Sequence, residues 1–170
     1  MVNIIFIINL VAFDLAWFGL IYWGNLFIPT ALLMLCLHFF FISKMRVNEF
    51  CLICVVTIIG VFVDSMLQYL GVLVFPEGKI MPLWLITLWL CFASTLCHSL
   101  KFLQRSILLQ GVFGALFAPI SYIAGNEMNA VSFGLSVENT FATLSILWGG
   151  LLIIFFFLKS YIIHTDDRHV

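Results

Sequence analysis

The chain has 170 residues, of which 64% are hydrophobic and 9% are charged, and its formal net charge at pH 7 is −1. Soluble globular proteins carry roughly a quarter of their residues as charged side chains, so this composition argues against a water-soluble domain. Nucleic-acid binding needs clustered Lys and Arg, whereas the seven basic residues are scattered here, so no nucleic-acid partner is expected.

Six apolar runs are each about as long as a hydrocarbon core of roughly 30 Å is thick, which takes about 20 helical residues. They predict an all-α, polytopic transmembrane bundle of six helices that forms one integral-membrane domain over residues 1–170. The predicted spans are about 4–23, 26–43, 50–75, 82–100, 107–124 and 141–163. A cleaved signal peptide fits the first run less well, because no Lys or Arg precedes it and Asp14 interrupts its middle.

The first three spans are separated by short polar stretches. The first span ends at Tyr22 and Trp23, aromatic residues of the kind enriched at membrane interfaces, and a tight turn then returns the chain. The loop after the second span is predicted to contain Lys44, Arg46 and Glu49. The third span, at about 26 residues, is expected to be tilted.

The fourth span enters the membrane through Pro82 and ends in a polar run. Ser94 and Thr95 precede His98 by four and three residues, so on a helix all three share one face. A hydroxyl of Ser94 or Thr95 is therefore predicted to orient one ring nitrogen of His98 and to leave the other for a substrate or a proton.

The last two spans are predicted to pack closely against their neighbours. Gly111, Gly114 and Ala118 in the fifth span are small residues that let helices approach each other, and Pro119 is expected to kink this helix. The sixth span carries no polar group of comparable interest, and packing is its predicted role.

The positions of the basic residues predict the orientation, because Lys and Arg are retained in cytoplasmic loops. If both termini are inside (N-in and C-in), six of the seven basic residues are cytoplasmic and only Lys79 is outside. The six cytoplasmic residues are Lys44, Arg46, Lys101, Arg105, Lys159 and Arg168.

The intramembrane ionisable groups fall at two depths when a rise of 1.5 Å per residue is applied. Asp14 and Asp64 lie roughly 14 to 16 Å below the outer ends of their spans, near the midplane. His38 and His98 lie roughly 20 to 24 Å down, near the cytoplasmic side. Members of each pair are predicted to share a level, and ionisable groups inside a membrane are functional-site hypotheses by default.

These groups and their polar neighbours form the predicted site. The predicted ligand-binding residues are Asp64, Gln68, Ser94, Thr95, His98 and Tyr122, and the secondary candidates are Asp14, His38 and Ser121. The candidate catalytic residues are His98 and Asp64. The alternative is that the same groups only join helices through hydrogen bonds.

No metal site and no cofactor are predicted. Cys51 and Cys54 form a CxxC on a predicted helix, but the chain has no second CxxC and no HxxxH partner for it. It also contains no HExxH, no GxSxG and no phosphate-binding loop.

A set of short motifs is distributed over most of the chain. They are Pro82-Leu83-Trp84, Leu88-Trp89, Phe92, Thr95 to Leu100, Asp64-Ser65, Gly71, Gly111, Gly114, Pro119, Ser121-Tyr122 and Ala124-Gly125. These motifs resemble those of a bacterial inner-membrane family called domain of unknown function 2878, whose name implies no activity. Its members resemble small multi-span proteins often encoded beside fatty-acid-modifying enzymes, which implies work on lipids or the envelope.

Three functions follow as hypotheses for a multi-pass protein of the bacterial inner membrane. The first is a bundle that binds or moves a lipid or small hydrophobic ligand in a cavity ringed by Asp64, Gln68, His98 and Tyr122. The second is an intramembrane lipid-modifying enzyme in which His98 acts as acid or base with help from Asp64. The third is a structural or assembly subunit. Membrane lipid is the expected partner, with a membrane-protein partner or a second copy of the chain left open.

Overall fold

The structure is a computed structural model that describes residues 4–43, 45–76, 78 and 81–164. Within these ranges nearly all regular structure is helical. The α-helices are α1 Ile4–Trp23, α2 Ile28–Phe41, α3 Arg46–Tyr69, α4 Leu83–Thr95, α5 Ile107–Glu127 and α6 Val137–His164. Two 3-10 turns, Gly24–Phe27 and Lys101–Arg105, and two short strands, β1 Leu73–Val74 and β2 Ser132–Phe133, complete the fold.

The apolar character of the long helices shows a multi-pass membrane protein. The helical runs Ile4–Phe41, Arg46–Tyr69, Ile107–Glu127 and Val137–Ile163 are each long and apolar enough to cross a membrane. The first run folds back on itself at the turn Gly24–Phe27. Its Asn9 and His38 side chains approach to 3.5 Å, although 29 residues of straight helix would separate them by about 44 Å.

Helix α3 differs from its predicted span at both ends, since it begins four residues earlier, at Arg46, and ends at Tyr69. Gly71 ends it with a left-handed backbone (φ +70°), and the N–H of Val72 bonds to the carbonyl of Leu67 at 2.9 Å. The chain then forms β1, which pairs antiparallel with β2. Pairing at this end ties the connection that follows α3 to the connection between α5 and α6.

Helix α4 has 13 residues and is about 20 Å long, so it ends five residues before the predicted limit at Leu100. Turns from Leu96 to Leu100 and the 3-10 turn Lys101–Arg105 follow it. The ammonium group of Lys159 on α6 donates to the carbonyl of Leu96 at 2.8 Å and to Oε1 of Gln104 at 2.9 Å. Backbone outside an α-helix is tolerated in a membrane protein where other protein groups bind its carbonyls in this way.

Helices α5 and α6 pack with their backbones close together, as the small residues of α5 predict. A Cβ atom at Gly114 would lie 2.3 Å from the carbonyl oxygen of Trp148, so only glycine fits this crossing. Helix α5 runs without interruption through Pro119 and continues to Glu127, three residues beyond the predicted end. Helix α6 begins at Val137, where Oγ of Ser136 accepts the N–H of Asn139.

Aromatic side chains fill the space between α3, α4 and α6. The rings of Trp89 and Trp148 are stacked with centroids 5.0 Å apart. Phe92 contacts both tryptophans edge-on, Phe155 contacts Trp89 edge-on, and the two phenylalanine rings are tilted against each other. The Trp89 ring lies directly on the backbone of α3 because Gly60 has no side chain there. This cluster fixes the position of α4 in the bundle.

Candidate functional site

A cavity of about 510 Å³ lies between α1, α4 and α5 and reaches Trp148 and Leu152 of α6. Its wall is mainly aromatic and aliphatic. Four of the five tryptophans of the chain line it, namely Trp17, Trp84, Trp89 and Trp148. Volumes of 300 to 1,000 Å³ with mostly apolar walls and a few polar groups are typical of small-molecule sites.

Five polar residues contribute to the wall of this cavity: Asp14, Thr95, Ser99, Ser121 and Tyr122. Asp14 is exposed there and makes no hydrogen bond or ion pair to any residue that the structure describes. No Lys, Arg or His is among the described residues that line the cavity. The wall therefore combines one carboxylate with neutral polar groups.

A hydrogen bond connects α1 and α5 at the side of the cavity. Nε1 of Trp17 on α1 donates to Oγ of Ser121 on α5 at 2.8 Å. Ser121 was predicted as a secondary site residue, whereas Trp17 was not. Its position could not be read from the sequence, because a tryptophan in an apolar run is indistinguishable there from a lipid-facing one.

Asp64 lies outside the lining of the cavity, directly behind its aromatic wall. It is fully buried, and its carboxylate accepts Nε1–H of Trp89 at 2.8 Å and the hydroxyl of Tyr122 at 2.6 Å. It thus joins α3 to α4 and α5. Of the four residues predicted to ring a cavity, only Tyr122 lines it, while Asp64, Gln68 and His98 do not.

The polar neighbours of the two predicted catalytic residues have other partners. Gln68 donates to the carbonyl of Gly78 at 2.7 Å. The hydroxyls of Ser94 and Thr95 donate to carbonyls of their own helix, those of Cys91 and Phe92, because a hydroxyl near a helix end bonds readily to the preceding turn. Neither hydroxyl orients His98, and this part of the sequence prediction is wrong.

His38 and His98 lie together in the structure, as predicted from their depth. Both contact the buried carboxylate of Glu49, a residue that the sequence predicted to lie in a loop. Oε1 of Glu49 lies 2.7 Å from Nε2 of His38 and 2.9 Å from Nε2 of His98. The two imidazole rings are 4.7 Å apart between centroids. We call His38, Glu49 and His98 the His–Glu cluster.

Asn9 forms a second layer around this cluster. Its Oδ1 accepts the backbone N–H of Ser99 at 3.1 Å and the Ser99 hydroxyl at 2.6 Å. The backbone donor fixes the amide orientation, so Nδ2 of Asn9 faces Nδ1 of His38 at 3.5 Å. Ser99 also lines the cavity, and it therefore connects the cavity wall to the second layer of the His–Glu cluster.

Glu49 is the functional candidate that sequence reasoning missed. A periodicity signal was available, because Glu49 is followed by Leu52, Ile53 and Val56 at the i+3, i+4 and i+7 positions of one helix face. All four side chains are buried. Extending the third span toward its N-terminus by one turn would have placed the carboxylate on this inward face.

Of the two pairs predicted to share a level, the histidines His38 and His98 meet in the structure, whereas the carboxylates Asp14 and Asp64 do not. Asp14 and Asp64 do not share a site, since Asp14 lines the cavity and Asp64 contacts Trp89 and Tyr122. His98 and Asp64 have no common partner among the described residues. A catalytic pair of His98 with Asp64, as the enzyme hypothesis requires, has no support in this geometry.

A comparison with known proteins agrees with the resemblance seen at Pro82 to Leu100. The family model described as "Protein of unknown function (DUF2878)" matches residues 6–154, which contain the whole His–Glu cluster and most of α6. No curated protein and no solved structure matches the chain. The chain belongs to the DUF2878 family of proteins of unknown function.

Proposed function

We propose that this protein binds a lipid or a small hydrophobic ligand in the cavity between α1, α4 and α5. The cavity itself is the observation that carries the proposal. Its volume of about 510 Å³ is large enough for a substantial part of a lipid or for a small ligand, and its aromatic wall favours an apolar one.

The charges of the wall narrow the class of ligand. Asp14 is its one carboxylate, and no basic side chain of the described residues lies beside it. A free fatty acid would bring a second negative charge near Asp14 without a counter-charge, which is costly away from water. The polar end of the ligand is therefore neutral or cationic.

Ligand binding is testable by filling the cavity. Ala118 lines it, and Leu116, two residues away on α5, is exposed and does not. We expect Ala118→Phe to weaken binding by at least about 10-fold, equivalent to 1.4 kcal/mol, because the new ring occupies the ligand volume. Leu116→Phe is the matched control and leaves binding unchanged.

The measurement uses the purified full-length chain in detergent. Lipids that co-purify are extracted and identified by mass spectrometry, and quenching of tryptophan fluorescence by a brominated phosphatidylcholine reports occupancy, since four tryptophans face the cavity. Equal quenching and equal lipid recovery in wild type, Ala118→Phe and Leu116→Phe would contradict a ligand in this cavity.

We also propose that the protein crosses the bacterial inner membrane six times, with both termini in the cytoplasm. The described basic residues support this orientation because they gather at one end of the bundle. Lys159 bonds to the segment that carries Lys101 and Arg105, and Arg46 begins the helix whose Glu49 contacts His98. Lys44, Lys79 and Arg168, which also entered the charge count, lie outside the described residues.

Reporter fusions test this topology. A green fluorescent protein fused after Val170 is expected to fluoresce and alkaline phosphatase at the same position to be inactive, because basic ends remain in the cytoplasm. Alkaline phosphatase fused after Asn25, in the turn at the opposite end, is expected to be active. Active phosphatase after Val170 would reject the orientation.

The structural hypothesis retains support at one residue. Asp64 accepts one hydrogen bond on each carboxylate oxygen from neighbouring helices, as expected for a group that joins helices. We therefore assign Asp64 to the scaffold behind the cavity, and ligand binding to the wall in front of it.

A further inference from the structure

We propose that His38, Glu49 and His98 form a binding site for one divalent transition-metal ion of the zinc or iron(II) class. The inference is independent of the ligand proposed for the cavity. It rests on the convergence of three side chains from α2, from the first turn of α3 and from the segment after α4.

The distances between the donor atoms suit a shared ion. The three atoms all lie within 4.8 Å of one another, and the two Nε2–Oε1 distances are 2.7 and 2.9 Å. With metal–ligand bonds of 2.0 to 2.2 Å, two ligands at angles of 90° to 110° lie roughly 2.9 to 3.5 Å apart. The third pair, the two imidazole nitrogens, lies within 4.8 Å, so the rings must approach each other by up to roughly 1 Å for one ion to contact all three atoms.

The donor set determines the class of ion. Two imidazoles and one carboxylate bind zinc in enzymes that keep a coordination position open, and the same set binds iron(II) in non-haem oxygenases. Calcium and magnesium prefer sites built from oxygen ligands, so they fit poorly here.

The three side chains of the His–Glu cluster are largely buried, unlike polar side chains that meet by chance at a protein surface. The side chains of His38 and Glu49 are 7% and 4% exposed, and that of His98 is 14% exposed. A buried carboxylate needs a compensating positive charge or protons on its neighbours. A dication held by all three side chains supplies that charge at one point.

The side chain of Asn9 affects the metal affinity expected for this site. A ligating histidine normally donates its second ring N–H to an acceptor, and this outer partner changes affinity by 10- to 100-fold. Here the amide donor of Asn9, fixed by Ser99, faces Nδ1 of His38 instead. In the metal-free protein this orientation favours a proton on Nε2, donated to Glu49. Ligation through Nε2 moves the proton of the neutral ring to Nδ1, where it faces the amide donor of Asn9 rather than an acceptor, so the ion is expected to bind more weakly than in a site with an acceptor there.

The test uses the full-length protein in detergent with zinc chloride or cobalt chloride as the only added metal. After removal of free metal, wild type is expected to retain about one ion per chain, measured by elemental mass spectrometry. Cobalt is expected to give visible d–d absorption bands characteristic of protein nitrogen and oxygen ligands. His38→Ala, His98→Ala and Glu49→Gln are each expected to lower the affinity by at least about 10-fold.

The other two histidines of the chain provide the matched control. The double variant His164→Ala/His169→Ala removes as many imidazoles as the double variant His38→Ala/His98→Ala but leaves the cluster intact. We expect it to bind like wild type. If wild type retains no more metal than His38→Ala/His98→Ala, or gives no cobalt bands, the site does not exist. Because the cobalt spectrum is recorded on wild type, this outcome is decisive even if a variant fails to fold.

Asn9→Asp provides a second measurement with the opposite sign. One carboxylate oxygen keeps the bonds from Ser99, and the other becomes an acceptor for Nδ1–H of His38. We expect zinc affinity to rise by about 10-fold. An unchanged or lower affinity would contradict ligation through Nε2 of His38.

Discussion

Replacing Asp64 with alanine is expected to destabilise the protein by about 2 to 6 kcal/mol. The carboxylate is the hydrogen-bond acceptor for both Nε1–H of Trp89 and the hydroxyl of Tyr122. Its removal leaves two buried donors without partners, each at a cost of roughly 1 to 3 kcal/mol. Thermal unfolding of the purified protein in detergent, followed by size-exclusion chromatography, measures the loss.

Two graded substitutions separate this effect from a simple loss of side-chain volume. Asp64→Asn keeps one acceptor oxygen, so it satisfies one of the two donors and should cost about half as much as Asp64→Ala. Tyr122→Phe removes a single donor and leaves the carboxylate bonded to Trp89, so it should cost least. Equal stability of Asp64→Ala and wild type would show that these hydrogen bonds do not hold the bundle together.

Gly114→Ala is expected to destabilise the packing of α5 on α6 by about 1 to 3 kcal/mol. The added Cβ atom would lie 2.3 Å from the carbonyl oxygen and 2.9 Å from the carbonyl carbon of Trp148. These are backbone atoms, which cannot rotate away as a side chain can, so the helices must separate. Trp148 also stacks on Trp89, and the separation should therefore disturb the cavity wall.

Gly111→Ala, one turn earlier on the same helix, is the control. Its Cβ atom would lie 3.5 Å from Cδ1 of Ile153 and 3.9 Å from the carbonyl of Gly149, which are ordinary contacts. Alanine favours a helix over glycine by up to about 1 kcal/mol, so this variant should be neutral or slightly stabilised. Melting temperatures of the two variants, measured side by side, test the prediction. A Gly111→Ala variant as unstable as Gly114→Ala would contradict it.

The sequence by itself determined which apolar runs form long helices, although not where each of these helices ends. Apolar runs long enough to span a hydrocarbon core predicted α1 to its last residue, at Trp23, and the first residue of α5, at Ile107. Local hydrophobicity carries this information, because a backbone in lipid must satisfy its own hydrogen bonds and therefore forms a helix. The close packing of α5 against α6 could also be predicted from the sequence, because the glycines that allow it lie within α5 itself.

The partners of the polar groups were decided only by the tertiary structure. Glu49 follows a charged segment and reads as part of a loop, yet His38 and His98, from distant segments, enclose it. Helix α4 was expected to reach Leu100, but it ends at Thr95, and Lys159 on α6 binds the carbonyl of Leu96 just beyond it. Hydrophobic periodicity specifies which face of a helix is buried but not which residue of another helix lies opposite. Whether a carboxylate in an apolar helix lines a cavity, as Asp14 does, or joins helices, as Asp64 does, therefore follows from packing alone.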